Sequence, residues 1–114
     1  MPKRTRNFRA QLLKDLTDPS EAAHYINAAS EDSEAMFLVA LRDVAEARQM
    51  ARVASQAGVA REALYRMLCD EGNPRLHSLW SILNAVGLRI SVEQSRDANT
   101  QSPRARVARR TKPS

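Results

Sequence analysis

Between Ala51 and Leu68 the chain reads ARVASQAGVAREALYRML, and two short apolar periods split by one glycine leave this stretch few ways to fold. Val53, Ala54 and Ala57 make one helical face, Gly58 accepts a positive φ, and Val59 falls at a buried corner. Past the corner, Ala63, Leu64, Met67 and Leu68 recur at helical period and point inward. Arg61, Glu62, Tyr65 and Arg66 share the opposite face. The spacing is that of a helix-turn-helix whose second helix turns a polar face away from the body.

The flanks read as support for this unit. Asp18-Pro19-Ser20-Glu21 is a helix start, with Asp18 as N-cap, Pro19 at the first helical position and Glu21 in the first turn. This helix is expected to run to about Ala29, with Ala22, Tyr25, Ile26 and Ala29 inward and His24 and Asn27 outward. After a break at Ser30 to Ser33, a longer helix reaches Arg48 on the apolar period of Met36, Phe37, Ala40, Leu41, Val44, Ala45 and Ala47, capped by Asp32 or Ser33. Gln49 and Met50 link it to the helix-turn-helix. Gly72 and Pro74 then interrupt, and a last helix from Leu76 to Val86 presents Leu79, Ile82, Leu83 and Val86 to the core, with Trp80 at its edge and Gly87 as its stop. Leu88 to Glu93 alternates apolar and polar residues and reads as one half-buried strand. A lone strand needs a partner, here the same strand of a second copy or another protein's sheet edge. Before Asp18 the pattern is irregular, with Phe8, Leu12, Leu13 and Leu16 as a short seam able to dock on the body or a partner. After Gln94 no apolar period remains, as in a disordered tail.

Charge is placed unevenly along the 114 residues. Residues 1 to 9 carry Lys3, Arg4, Arg6 and Arg9 with no acid, and residues 96 to 114 carry six basic residues against Asp97. Of the net +5, +4 and +5 therefore sit on the two ends, and the body between them is mildly acidic. Basic ends of this kind meet phosphate, or serve only to keep a chain in solution. The single cysteine, Cys69, excludes an internal disulfide and fits a reducing cytosol, and His24 and His77 make no metal-ligand spacing with it. No signal-peptide or membrane-span run of apolar residues is present. No nucleophile-base pair and no glycine-rich phosphate loop appears, so neither a catalytic site, a metal nor a cofactor is expected.

Three segments carry a family resemblance: DPSEAAHYINAA, FLVALRDVAEARQMARVASQAGVAREALYRML and EGNPRLHSLWSILNAVGLRISVE. The chain resembles the antidote (antitoxin) proteins of bacterial addiction modules, the HigA-like, Xre-like helix-turn-helix kind whose partner is a RelE/HigB-like toxin. The resemblance spans roughly Asp18 to Glu93. It implies an all-α, five-helix, phage-repressor-like domain that sits on its own promoter and neutralises a toxin that cuts messenger RNA. Three positions depart from the pattern: Ala60 replaces the Ser or Thr that would cap the recognition helix, and Arg42 and Gln49 stand where relatives often have Gly. With the short C-terminal strand added, the expected organisation is a flexible basic arm over 1–17, the DNA-binding antitoxin domain over 18–93 and a disordered basic tail over 94–114.

Within that frame, Arg61, Glu62 and Arg66 are candidates to read base edges. Arginine donates two bonds to guanine O6 and N7, glutamate accepts from cytosine N4, and Tyr65 packs on a thymine methyl or reaches a phosphate. The competing reading is a solvated helix face with an Arg61–Tyr65 contact and a Glu62–Arg66 ion pair. Gln49 and Arg52, at the start of the first motif helix, are candidate phosphate contacts, as are Asn73 and Arg75 after the second. A homodimer, formed through Leu88 to Glu93, would repeat these contacts about 34 Å away on double-stranded operator DNA.

The expected function is that of a cytoplasmic antitoxin, nucleoid-associated when bound to DNA, that inhibits its toxin directly and represses its own operon. The acidic residues Glu21, Glu31, Asp32 and Glu34 are candidate contacts for a basic toxin. A stand-alone Xre-like repressor without a toxin shares every DNA-facing feature. A purely protein-binding module would keep the fold and lose the DNA contacts.

Overall fold

The computed structural model describes residues 2–95, with side chains from residue 7 onward. Six helices follow in order: α1 Pro2–Asp15, α2 Pro19–Asp32, α3 Glu34–Ala47, α4 Met50–Ala57, α5 Arg61–Met67 and α6 Leu76–Ala85. The basic tail expected over 94–114 lies almost wholly outside the described residues. Among those residues no helix is long and apolar enough to cross a membrane.

The helix boundaries follow local chemistry. At the start of α2 the Asp18 carboxylate accepts from the Ser20 N–H at 3.0 Å, with Pro19 behind it. The helix runs about one turn past the expected end, to Asp32, with the Ser30 hydroxyl donating to the Asn27 carbonyl at 2.7 Å. Ser33 does two jobs at the break. Its N–H donates to the Ala29 carbonyl, and its Oγ accepts from the Met36 N–H at 3.0 Å, closing α2 and capping α3. Gly58 (φ +76) ends α4 in a Schellman turn: its N–H reaches the Ser55 carbonyl at 3.2 Å and the Val59 N–H reaches the Ala54 carbonyl at 3.0 Å.

One core joins the helices. Leu41, Val44 and Ala45 of α3, Val53 of α4, Leu64 and Leu68 at α5, and Ile82 and Val86 at α6 are almost completely buried, with Leu16, Ala22 and Ile26 closing the α1–α2 side. Each buried Leu, Ile or Val contributes about 1.5–3 kcal/mol of transfer free energy. Helix α2 packs along α3, and α4 rests on α6 and α5. Val59 is half-buried against this core, and Trp80 stays half exposed at the edge of α6.

Two sequence expectations are corrected. The count is six helices rather than five, because residues 2–15, expected to be irregular, form α1. The seam expected there does dock: Leu16 is buried and Leu12 packs against the core, while Phe8 projects 71% exposed. The C-terminal strand over Leu88 to Glu93 does not form, and among the described residues there is no β-strand. Its first residue is consumed by the end of α6. The Leu88 N–H donates to the Leu83 carbonyl at 2.8 Å and the Gly87 N–H (φ +83) to the Asn84 carbonyl at 3.0 Å, a second Schellman turn. The period-2 pattern survives only as the placement of Leu88 and Ile90 on the core with Arg89 and Ser91 exposed, and it fails at Val92, which is also exposed. Alternation specifies which side chains are buried but supplies no neighbouring strand for the backbone to pair with.

Candidate nucleic-acid interface

The turn Gly58 to Ala60 sets α5 against α4, and burial of Leu64 and Leu68 fixes its rotation. With those residues inward, Arg61, Glu62 and Arg66 are exposed. None of the three forms an ion pair with a described residue, so the Glu62–Arg66 bridge that i,i+4 spacing allows is not made. Of the competing reading only the Arg61–Tyr65 contact is made, which leaves Glu62 and Arg66 without a partner among the described residues. Ala60 is the N-cap of α5 and provides no side-chain cap, as its residue type dictates.

Tyr65 differs from the other three. It is half-buried against the core, with the Arg42 guanidinium 5.4 Å and the Arg61 guanidinium 5.9 Å from its ring centroid. Arg42 in turn faces Glu46, with Nε 3.6 Å from its carboxylate. Glu46 also binds Arg9 of α1, which reaches the buried Asp43 at 3.0 Å as well. Tyr25 of α2 donates to the other Asp43 oxygen at 2.6 Å. A continuous polar chain thus runs from α1 and α2 through α3 to the tyrosine of α5. The Asp43 hydrogen bond holds the Arg9 guanidinium still more firmly protonated than usual. Burial, then the Asp43 hydrogen bond, pushes the Tyr25 phenol up to about 12.

Arg9, Arg42 and Asp43 were given no place in the site from sequence, although Arg42 stood out as a departure from the family pattern and Arg9 as part of the basic N-terminal run. For Asp43 a signal existed, since Ala40, Asp43, Val44 and Ala47 share one helical face and a carboxylate there must be buried with partners. For Arg9 none did, because its partners lie more than thirty residues away.

The expected phosphate contacts divide into two places. Gln49 and Arg52 are exposed at the start of α4, on a groove of about 690 Å³. Gln49 has φ +73, a conformation that strains any residue with a Cβ, and this accounts for the glycine expected there in relatives. Asn73 and Arg75 are exposed in the α5–α6 link, where Asn73 also borders a second groove lined by Glu34, Phe37, Leu38, Pro74 and Leu79. Gly72 is required in that link because a Cβ there would lie 2.2 Å from the Met67 carbonyl oxygen. Cys69 is half-buried, its thiol on the Arg66 carbonyl at 3.2 Å. Among the described residues no cluster of His, Cys, Asp and Glu is arranged to hold a metal.

The described residues are all-helical and present an exposed, mostly basic face on α5 that makes no ion pair among them. Comparison with known proteins makes this specific. The family model described as "Probable addiction module antidote protein" matches residues 6–94, and the chain belongs to that family. An uncharacterized protein of Haemophilus influenzae is 38% identical over 88 residues, covering 76% of this chain and 91% of that one. No solved structure matches the chain significantly. Membership of that family supports an antitoxin role and implies a toxin partner of some kind.

Proposed function

We propose that this antidote protein binds double-stranded DNA at its own promoter through α5, represses its operon, and neutralises a RelE/HigB-like toxin that cuts messenger RNA. The observation that carries the DNA reading is the exposed face of Arg61, Glu62 and Arg66, which makes no ion pair with a described residue while the opposite face of the same helix is buried. Arg66 and Glu62 read base edges; Arg61 reads or positions from its place beside Tyr65. Gln49, Arg52, Asn73 and Arg75 are the phosphate contacts on either side. Tyr65 acts mainly by holding Arg61. A homodimer presents two such helices about 34 Å apart, matching a pseudo-palindromic operator. The protein works by binding and not as an enzyme, and its place of action is the bacterial cytoplasm.

Toxin neutralisation is by occlusion, with the acidic residues Glu21, Glu31, Asp32 and Glu34, all exposed, as attractive contacts for a basic partner. Two experiments test the two halves separately. Titration of a promoter duplex at several salt concentrations gives saturable binding with a steep log-log slope, and absence of binding at low salt defeats the DNA reading. Co-expression with the adjacent small reading frame gives a complex and growth rescue, and failure of both defeats the assignment of that toxin.

A further inference from the structure

The groove at the junction of α3, α4 and α6 is lined without a carboxylate. Its polar walls are Arg48, Gln49, Arg52 and Gln56 on one side and Ser81 and Asn84 on the other, around a space of about 690 Å³. Each of these side chains carries a donor and two are cationic, although the Ser81 hydroxyl gives its proton to the His77 carbonyl at 3.1 Å.

Arg48 distinguishes the groove from an ordinary polar surface. The Arg9 guanidinium meets two carboxylates and the Arg42 guanidinium one. The Arg48 side chain meets none and makes no hydrogen bond to a described residue, and its Nε is fully buried without an acceptor. Its terminal nitrogen passes close to Gly87, 3.6 Å from where a Cβ would stand, so the end of α6 packs against the guanidinium without supplying an acceptor. The buried Nε is closed to the groove, and an anion there meets the guanidinium through its terminal nitrogens, which have no acceptor among the described residues. The planar guanidinium fork suits two oxygens of one phosphoryl group, with Arg52 in the first turn of α4 as a second cation lining the groove.

We propose that this groove binds a phosphate group, with Arg48 at its centre and Arg52, Gln56, Ser81 and Asn84 around it. The site does not depend on base reading by α5. It shares Gln49 and Arg52 with the DNA contact, whereas Arg48, Ser81 and Asn84 belong to the groove alone. A duplex backbone and a free phosphorylated small molecule offer the same chemistry, so the experiment must separate them.

The test uses the full chain labelled with ¹⁵N and sodium phosphate added against sodium chloride of equal ionic strength. The Arg48 Nε–H resonance and the Met50 and Ala51 amides shift saturably with phosphate, while the Arg66 Nε–H resonance does not. Asn84→Asp, at an exposed position, weakens this binding about tenfold or more, the scale of a like charge placed a few ångströms away. Gln56→Glu does the same from the opposite wall. An Arg48 resonance that only follows the chloride control overturns the site, as does unchanged phosphate binding in both variants. A short duplex of arbitrary sequence then identifies the source. If it moves the Arg48 resonance and inorganic phosphate competes, the groove holds the nucleic-acid backbone. If phosphate binds while the duplex shifts Arg61 and Arg66 alone, the ligand is a free phosphorylated molecule. Phosphate binding with no response to any duplex leaves the groove standing and defeats the DNA reading.

Discussion

The Tyr25 hydroxyl donates a 2.6 Å hydrogen bond to Oδ2 of Asp43, whose other oxygen accepts from Arg9. One nearly buried carboxylate on α3 therefore ties α1 and α2 to the helix that underlies α5. Asp43→Ala leaves both partners without their acceptor and destabilises the fold by about 2–4 kcal/mol in denaturant titration, whereas Tyr25→Phe costs about 1 kcal/mol. Equal, small effects from both would mean that the carboxylate is not a shared anchor.

Burial of the Tyr25 phenol, together with that bond, predicts an alkaline transition. The folded Tyr25 phenol titrates near 12 against an ordinary value of 10, so folding favours its neutral form. The stability it contributes is complete below pH 10 and is lost as pH rises through about 12. Stability of the wild type should fall across that window more steeply than that of Tyr25→Phe. Parallel curves would count against the shift.

Gln49 and Gly58 make opposite cases of positive φ. Gln49 sits at φ +73 with a Cβ, and Gln49→Gly should stabilise the protein by about 1 kcal/mol despite the entropy glycine adds to the unfolded chain. Gly58→Ala at φ +76 should cost about 1 kcal/mol through the same strain, since its Cβ would meet no neighbour. Thermal unfolding midpoints that move in one direction for both variants contradict this account.

Ala60 leaves the start of α5 uncapped. Ala60→Ser supplies an acceptor to the free N–H groups and should add about 1 kcal/mol, with slowed amide exchange over Arg61 to Ala63. Exchange there unaltered by the substitution shows that the first turn is held by something other than its cap.

On the proposed DNA contact, Arg66→Ala should lose about 1–3 kcal/mol on the cognate promoter and much less on a scrambled duplex. Arg42→Ala touches no DNA in this arrangement, yet it frees one face of Tyr65 and should weaken binding through Arg61. Equal losses on cognate and scrambled duplexes for Arg66→Ala would remove it from base reading.

The helices from α2 to α6 were legible in the sequence because each advertises itself locally, through Asp18 and Ser33 as caps, Gly58 and Gly87 as stops, and the period of the buried Leu, Ile and Val. Helix α1 was not, since only its last turns carry apolar residues that reach the core, and the polar anchor that docks it joins Arg9 to acids on a distant helix. The opposite error occurred at Leu88 to Glu93. The alternation there suggested a ladder, but it places only Leu88 and Ile90 on the core, and pairing needs a second strand that local pattern cannot provide.

Residue order alone determined that Ala51 to Leu68 would form two helices about a glycine, and that Leu64 and Leu68 would be buried while Arg61, Glu62 and Arg66 faced out. Burial follows period, and period is a property of neighbours in sequence. Tertiary structure decided that Tyr65 is held between Arg42 and Arg61, that Asp43 is shared by two other helices, and that Arg48 faces a groove with no counter-charge. These are meetings between side chains far apart in the chain, and packing sets whether each charge finds a partner.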